Sequence, residues 1–249
     1  MVGAPAAADA VARARRLPGL RVGLHLVLVD GRPVSPPSVI AGLVRGDGEF
    51  DRDIVRAGLR CFFLPHVRRQ ATREIRAQFE AFRATGLELD HVDGHKHIQL
   101  HPTLARLVIE IGGEFGLTAM RVPAEPVSTL RDAVPEERYR APFYTPWVEN
   151  LRRRVRRAGL ASADHVFGIA WSGGMTEERL VRLLPELPDG VSEIYFHPAV
   201  RRTRRLQAAM PGYRHDDELA ALLSPAVERR IARLGIALAG YPDLARPRR

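Results

Sequence analysis

Four histidines, His91, His95, His97 and His101, stand within eleven residues, in Asp90-His91-Val92-Asp93-Gly94-His95-Lys96-His97 and the following Ile98-Gln99-Leu100-His101-Pro102. Imidazole nitrogens and carboxylates at that density suit a divalent metal site or proton transfer near neutrality. Leu87, Leu89, His91, Asp93, His95 and His97 occupy alternate positions, so a strand would place them on one face that turns from apolar to metal-seeking. At a rise of about 3.3 Å per residue, His91 and His95 would lie roughly 13 Å apart and could not share one ion at bond lengths of about 2 Å. At most two neighbours on that face can be direct ligands, and the others would support a ligand or pass protons. Gly94 lets the backbone bend, and His101-Pro102 reads as a helix start. The cluster is therefore expected at the C-terminal end of a strand just before a helix, which in a β/α barrel is the catalytic rim. A solvated loop rich in histidine is the competing reading.

The positioning elements follow from hydrophobic pattern. Residues 20–29 (LRVGLHLVLV) are apolar on both faces, as in a buried parallel strand, with His25 in the middle and Gly23 leaving room beside it. A lone core histidine is usually structural, but a second histidine-bearing strand with which it could share a metal leaves the structural and ligand readings equally open here. Residues 34–51 read as a long loop with short helical pieces, and 54–85 as a helix broken near Leu64-Pro65-His66 and stopped at Gly86. Residues 102–115 are the next helix and 117–122 a short strand, at whose exit Arg121 and Glu125 would bind substrate or form structural ion pairs. Residues 164–171 are strand-like, Thr176 caps a helix carrying Glu177 and Glu178, and 191–196 is a strand delivering His197-Pro198. Helices at 216–223 and 225–234 and a last strand at 235–240 complete six strands, almost all separated by helices. Such alternation makes an α/β fold with a parallel sheet, and the length suits a β/α barrel lacking two of its eight strands.

Composition bounds the rest. At 249 residues and 45% hydrophobic content the chain suits one large domain. Of its 38 basic residues only Lys96 is lysine, and the net charge is +9. No nucleic-acid motif accompanies that charge, so nucleic acid is not an expected partner. The basic helix at 147–159 reads as a surface helix, with a lid or membrane-contacting insertion as the alternative. A lone Cys61, no apolar run of membrane-spanning length and no secretory leader pattern make a cytoplasmic protein the expectation.

Gly23-Leu24-His25-Leu26 with Gly31-Arg32-Pro33, the stretch from His91 to Pro102, and Glu193-Ile194-Tyr195-Phe196-His197-Pro198 together resemble the YdjC-like carbohydrate deacetylase family. Ala170-Trp171-Ser172-Gly173-Gly174-Met175-Thr176 and Tyr213-Arg214-His215-Asp216-Asp217-Glu218-Leu219 are most similar to its hopanoid biosynthesis-associated members. The resemblance covers about residues 1–240. It implies a β/α-barrel fold in a single domain, 1–249, with a helical insertion around 126–163. It also implies one divalent ion, magnesium or zinc, held by one Asp and two His, and removal of an N-acetyl group from an amino sugar. The metal histidines map to His25 and His95. His197 would be general acid or oxyanion partner, with Asp93 as the other catalytic residue and His91 and His97 lining or supporting the site. The expected partner is an acetylated amino sugar, N-acetylglucosaminyl hopanoid lipid in the subgroup reading, with peripheral membrane contact and a homodimer left open. A metal phosphoesterase and a non-catalytic sugar- or lipid-binding remnant are the alternatives.

There is one departure. Family members begin with a strand ending in Ala-Asp-Asp-Phe-Gly, which supplies the metal carboxylate, then a helix and a second strand. Met1-Val2-Gly3-Ala4-Pro5 corresponds to the end of that second strand. The expectation is a start site assigned too far downstream, and an open seam beside residues 20–29 in the chain as written.

Overall fold

The computed structural model describes residues 1–140 and 142–244, with Arg205 by its backbone alone. In chain order come α1 (Ala7–Ala14), β1 (Leu24–Leu26), a 3-10 turn (Pro37–Ile40), α2 (Ile54–Phe63), α3 (Pro65–Ala84), β2 (Val92–Gly94) and a second 3-10 segment (His95–Leu100). Then follow α4 (Pro102–Glu114), α5 (Val127–Ala133), α6 (Thr145–Arg157), β3 (His165–Phe167) and α7 (Glu177–Leu183). The chain continues through β4 (Ser192–Ile194), α8 (Arg204–Ala209), α9 (His215–Leu222), α10 (Pro225–Leu234) and α11 (Tyr241–Leu244). The fold is mixed α/β with parallel strands, in two compact units. One holds residues 1–121, 146–162 and the chain from Gly240, and the other holds 122–145 and 163–239. The stretch 126–163, expected as one helical insertion, is divided between them.

In the first unit β1 pairs with β2 in parallel, Leu24 against Val92, His25 against Asp93 and Leu26 against Gly94. Met120 makes a single parallel bridge to Val92 and Ala119 one to Ala161, so the strand expected at 117–122 is reduced to bridging residues. The expected strand at 20–29 likewise shrinks to three ladder residues, although Val27, Leu28 and Val29 are buried as its pattern requires. A side chain replaces the ladder there. Val27 N–H donates to Gln78 Oε1 at 3.0 Å, and Gln78 Nε2 donates back to the Val27 carbonyl at 2.6 Å. One turn earlier on α3, Glu74 accepts from Val34 N at 2.9 Å, Ser35 N at 2.9 Å and Gln78 Nε2 at 2.8 Å. Both residues lie on the inner face of α3, with Val67, Ala71, Ile75 and Phe79.

Pro65 separates α2 from α3 because the residue before a proline is driven out of the helical region, and Leu64 is extended at φ −104, ψ 105. Gly86, at φ +70, ends α3. Removing the fully buried Glu74 carboxylate would take the partner from two part-buried backbone donors, Val34 N and Ser35 N, each worth about 1–3 kcal/mol. Glu74→Ala is therefore expected to destabilise the protein by roughly 2–4 kcal/mol, and Glu74→Gln by clearly less. Denaturant unfolding of the three proteins checks this, and equal stability of wild type and Glu74→Ala would refute the clamp.

In the second unit β3 pairs with β4 in parallel, Phe167 against Ile194. Phe167, Trp171, Met175 and Leu183 form one buried cluster there with Leu130, and Leu180, Leu184, Ala221 and Val227 form another. The strand expected at 235–240 is absent. Gly235 caps α10 in the left-handed conformation, and 237–239 run exposed with no strand to pair with.

Candidate active site

The β1–β2 register sets the site, because it puts His25 directly across from Asp93. His25 Nδ1 lies 2.9 Å from Asp93 Oδ2. An ionised carboxylate only accepts, so the proton of that bond is on Nδ1, and Nε2 is the ring nitrogen left facing away from Asp93. That Nε2 is 3.4 Å from His95 Nδ1. Asp93 is buried, and the same Oδ2 accepts from Arg121 Nη1 at 2.5 Å. Burial opposes its charge, yet the hydrogen bond from His25 and the charges of His25, Arg121 and His91 hold the carboxyl well below the usual range.

His95 reaches His25 because the strand ends. Expected alternation would carry His91, Asp93, His95 and His97 along one strand face, but β2 stops at Gly94 and a 3-10 segment starts at His95. Gly94 permits the turn: a Cβ there would fall 2.3 Å from Gln99 Oε1. Lys96 and His97 follow in the left-handed region at φ 52 and 54, and Asp30 has φ 49. Lys96 Nζ donates to Asp30 Oδ2 at 2.6 Å, tying the two left-handed segments together. Strained non-glycine backbone of this kind costs about 1–3 kcal/mol per residue and gathers where geometry serves a site. Burial, with the charges of His25 and Lys96, pushes the His95 imidazole down to about 4, so it is neutral, as a ligand must be.

The remaining residues separate by role. His91 Nδ1 donates to Asp90 Oδ2 at 2.8 Å, and its ring stacks on Tyr241 at 4.4 Å. Gly23 makes room for His91 rather than for His25, since a Cβ there would lie 2.6 Å from the His91 ring. His101 caps α4, its Nδ1 accepting from Leu104 N at 3.4 Å. His97 is half-buried in the 3-10 turn. Arg121 takes the ion-pair role, with Asp93. Glu125 lies in the second unit, where its carboxylate accepts from Gly168, Ile169 and Ala170 N–H at 2.8–2.9 Å and fixes the turn after β3. Burial there pushes its carboxyl up against the pull of those bonds.

His197 also lies in the second unit, and sequence reasoning missed what holds it. Its N–H donates to the buried Glu218 carboxylate, which also accepts from Met175 N at 3.0 Å. Its carbonyl accepts from Nδ1 of the buried His215 at 2.5 Å. The ring meets Tyr195 and Tyr213 edge-on at 5.5 and 5.1 Å, and Tyr213 Oη is 2.8 Å from Ser172 Oγ. Gly173, at φ +74, is required beside Tyr213, whose ring would lie 2.2 Å from a Cβ. In the sequence Glu218 stands only as part of the motif at 213–219 and of the helix expected at 216–223.

The His25–His95 pair can be tested against a metal by distance. Two nitrogens about 2.05 Å from one ion at the tetrahedral angle lie roughly 3.3 Å apart, and these lie 3.4 Å apart. A carboxylate on the far nitrogen of His25 is the usual support of a metal-bound imidazole. The pair thus fits two ligand positions. Among the described residues no group of three or more His, Cys, Asp and Glu could hold an ion, and Asp93 is engaged by His25 and Arg121.

Comparison with known proteins bears on the family and the fold. A carbohydrate deacetylase of Geobacillus stearothermophilus is 29% identical over 98% of this chain and 84% of its own. A chitooligosaccharide deacetylase of Enterobacter sp. (strain 638) is 30% identical over 98% and 86%. The fold matches, at a TM-score of 0.72 and 22% identity, the crystal structure of an Enterococcus faecalis V583 protein assigned to cellobiose-phosphate cleavage, over 99% of this chain and 86% of that one. The family model for YdjC-like proteins matches residues 1–233, a span that includes His25, Asp93, His95 and His197, and the chain belongs to that family.

Proposed function

We propose that this chain is a carbohydrate deacetylase that removes an N-acetyl group from an amino sugar by metal-assisted amide hydrolysis. Deacetylase relatives matching nearly its whole length support the reaction type, and the single observation carrying the mechanism is the His25–His95 pair backed by buried Asp93. His25 Nε2 and His95 Nδ1 would hold the ion, magnesium or zinc. When bound, such an ion polarises the acetyl carbonyl and lowers the pKa of water toward neutrality. Asp93, doubly engaged, is a positioning residue: it keeps the proton on His25 Nδ1, and Arg121 keeps Asp93 ionised. His197 is assigned the proton that the departing amine takes, an acid role worth about 10²–10⁴-fold. In the family that the chain resembles an Asp-Asp pair supplies a further ligand, and the substrate reading is an N-acetylglucosaminyl group on a hopanoid lipid.

The test is release of acetate from N-acetylated chitooligosaccharides and from an N-acetylglucosaminyl lipid, with and without chelator. The same assay is run on a chain extended at its N-terminus by the Asp-Asp strand. Acetate released by the extended chain, suppressed by chelator and restored by zinc or magnesium, is the expected result. Phosphate release from phosphosugars without acetate release would replace the proposal by a phosphoesterase.

A further inference from the structure

A helix on a protein surface ordinarily turns its apolar stripe toward the core. Helix α2 does the opposite. Val55, Leu59, Phe62 and Phe63 recur at helical spacing and are 66, 54, 50 and 66% exposed, while Cys61 is the helix's buried residue. Ile54 and Leu64 extend the stripe at its two ends. The inward side is made by small groups. Gly58 lies where a Cβ would come within 3.3 Å of the His101 ring, so the helix sits close on α4 and holds its large side chains outward. Charge accompanies the stripe: residues 54–73 contain Arg56, Arg60, Arg68, Arg69 and Arg73 and no acidic residue. Arg56 turns back to the buried Asp51 at 2.6 Å, and the other four belong to α2 and the first half of α3.

We propose that α2 is an interfacial helix that docks this protein on an anionic phospholipid bilayer. The stripe of two phenylalanines, a leucine and a valine enters the boundary between headgroups and acyl chains, and the arginines meet lipid phosphates. Among the described residues no helix is long and apolar enough to cross a membrane, so the contact is with the surface. A symmetric dimer through α2 is the weaker fit, because two-fold pairing would set the arginines of one copy against those of the other. The docking does not depend on the deacetylase reading.

Co-sedimentation of the full chain with phosphatidylcholine vesicles, plain or containing about one-third phosphatidylglycerol, tests it. Binding is expected to the anionic vesicles, at least about tenfold tighter than to neutral ones and weakened by salt. Phe62→Ser/Phe63→Ser, and separately Val55→Ser/Leu59→Ser, should each weaken it about tenfold or more with the unfolding midpoint unchanged. Absence of vesicle binding, or binding that both double variants retain, would overturn the proposal. So would a dimer in solution that the variants dissociate while vesicles capture nothing.

Discussion

His25→Ala and His95→Ala are each expected to lower affinity for zinc by more than about a hundredfold, measured calorimetrically on the N-terminally extended chain, and to reduce acetate release to background. The magnitude follows from the ligand count. With such an aspartate added, the proposed site would have three protein donors, the usual number for a catalytic zinc, and either substitution would leave two. The supporting carboxylate should matter less than a ligand, so Asp93→Asn is expected to cost about 10–100-fold in affinity, the usual worth of such a partner. Arg121→Gln removes the other group on the same oxygen and should move affinity in the same direction by less. His101→Ala supplies the contrast. It deletes a helix cap, worth about 1 kcal/mol of stability, and should leave metal affinity unchanged. Unaltered affinity in both His25→Ala and His95→Ala would remove the metal assignment while leaving the family membership intact.

What could be read from the chain beforehand divides along a physical line. Helices with a proline start, a capping residue or a glycine stop were legible, since those signals are local: the break at Pro65, the start at Pro102, the cap at Thr176 and the stop at Gly86 all stand. Strands were legible as buried apolar runs but not as ladders. At Val27 to Val29 the pattern is that of a strand, yet Gln78 from α3 takes the backbone groups that a neighbour would have paired. Residues 235–240 are apolar enough to suggest a strand, and among the described residues no strand lies beside them. The pairing of His25 with His95 was reached through the family resemblance, and the residues alone supported only two histidine-bearing strands. Period-two reasoning failed beyond Gly94, where a contact 2.3 Å from an absent Cβ decides the path of the chain. Long-range hydrogen bonds that backbone N–H groups donate to the carboxylates of Glu74, Glu125 and Glu218 have no local signal.

His197→Ala is expected to lower turnover by about 10²–10⁴-fold while metal affinity and the unfolding midpoint stay near those of the parent chain. That combination marks a group acting on the reacting atoms, as proton donor or oxyanion partner. A ligand would take the metal with it, and a core residue would take stability. The buried pair behind His197 predicts the complementary pattern. Glu218 satisfies two backbone donors, Met175 N and His197 N, so Glu218→Ala leaves both unpaired and should destabilise the protein by roughly 2–4 kcal/mol. Glu218→Gln keeps one carbonyl oxygen and should recover part of that loss. His215 holds the His197 carbonyl from the other side, so His215→Ala should loosen the same backbone. If His197 acts from a fixed backbone, the Glu218 and His215 variants will lose turnover beyond what their unfolded fraction accounts for, and Glu218→Gln will restore turnover and stability together. Full turnover in His197→Ala would dismiss the acid role. Full turnover in folded Glu218→Ala would show that the clamp serves stability alone, because a side chain whose backbone has lost its anchor could not otherwise keep its aim.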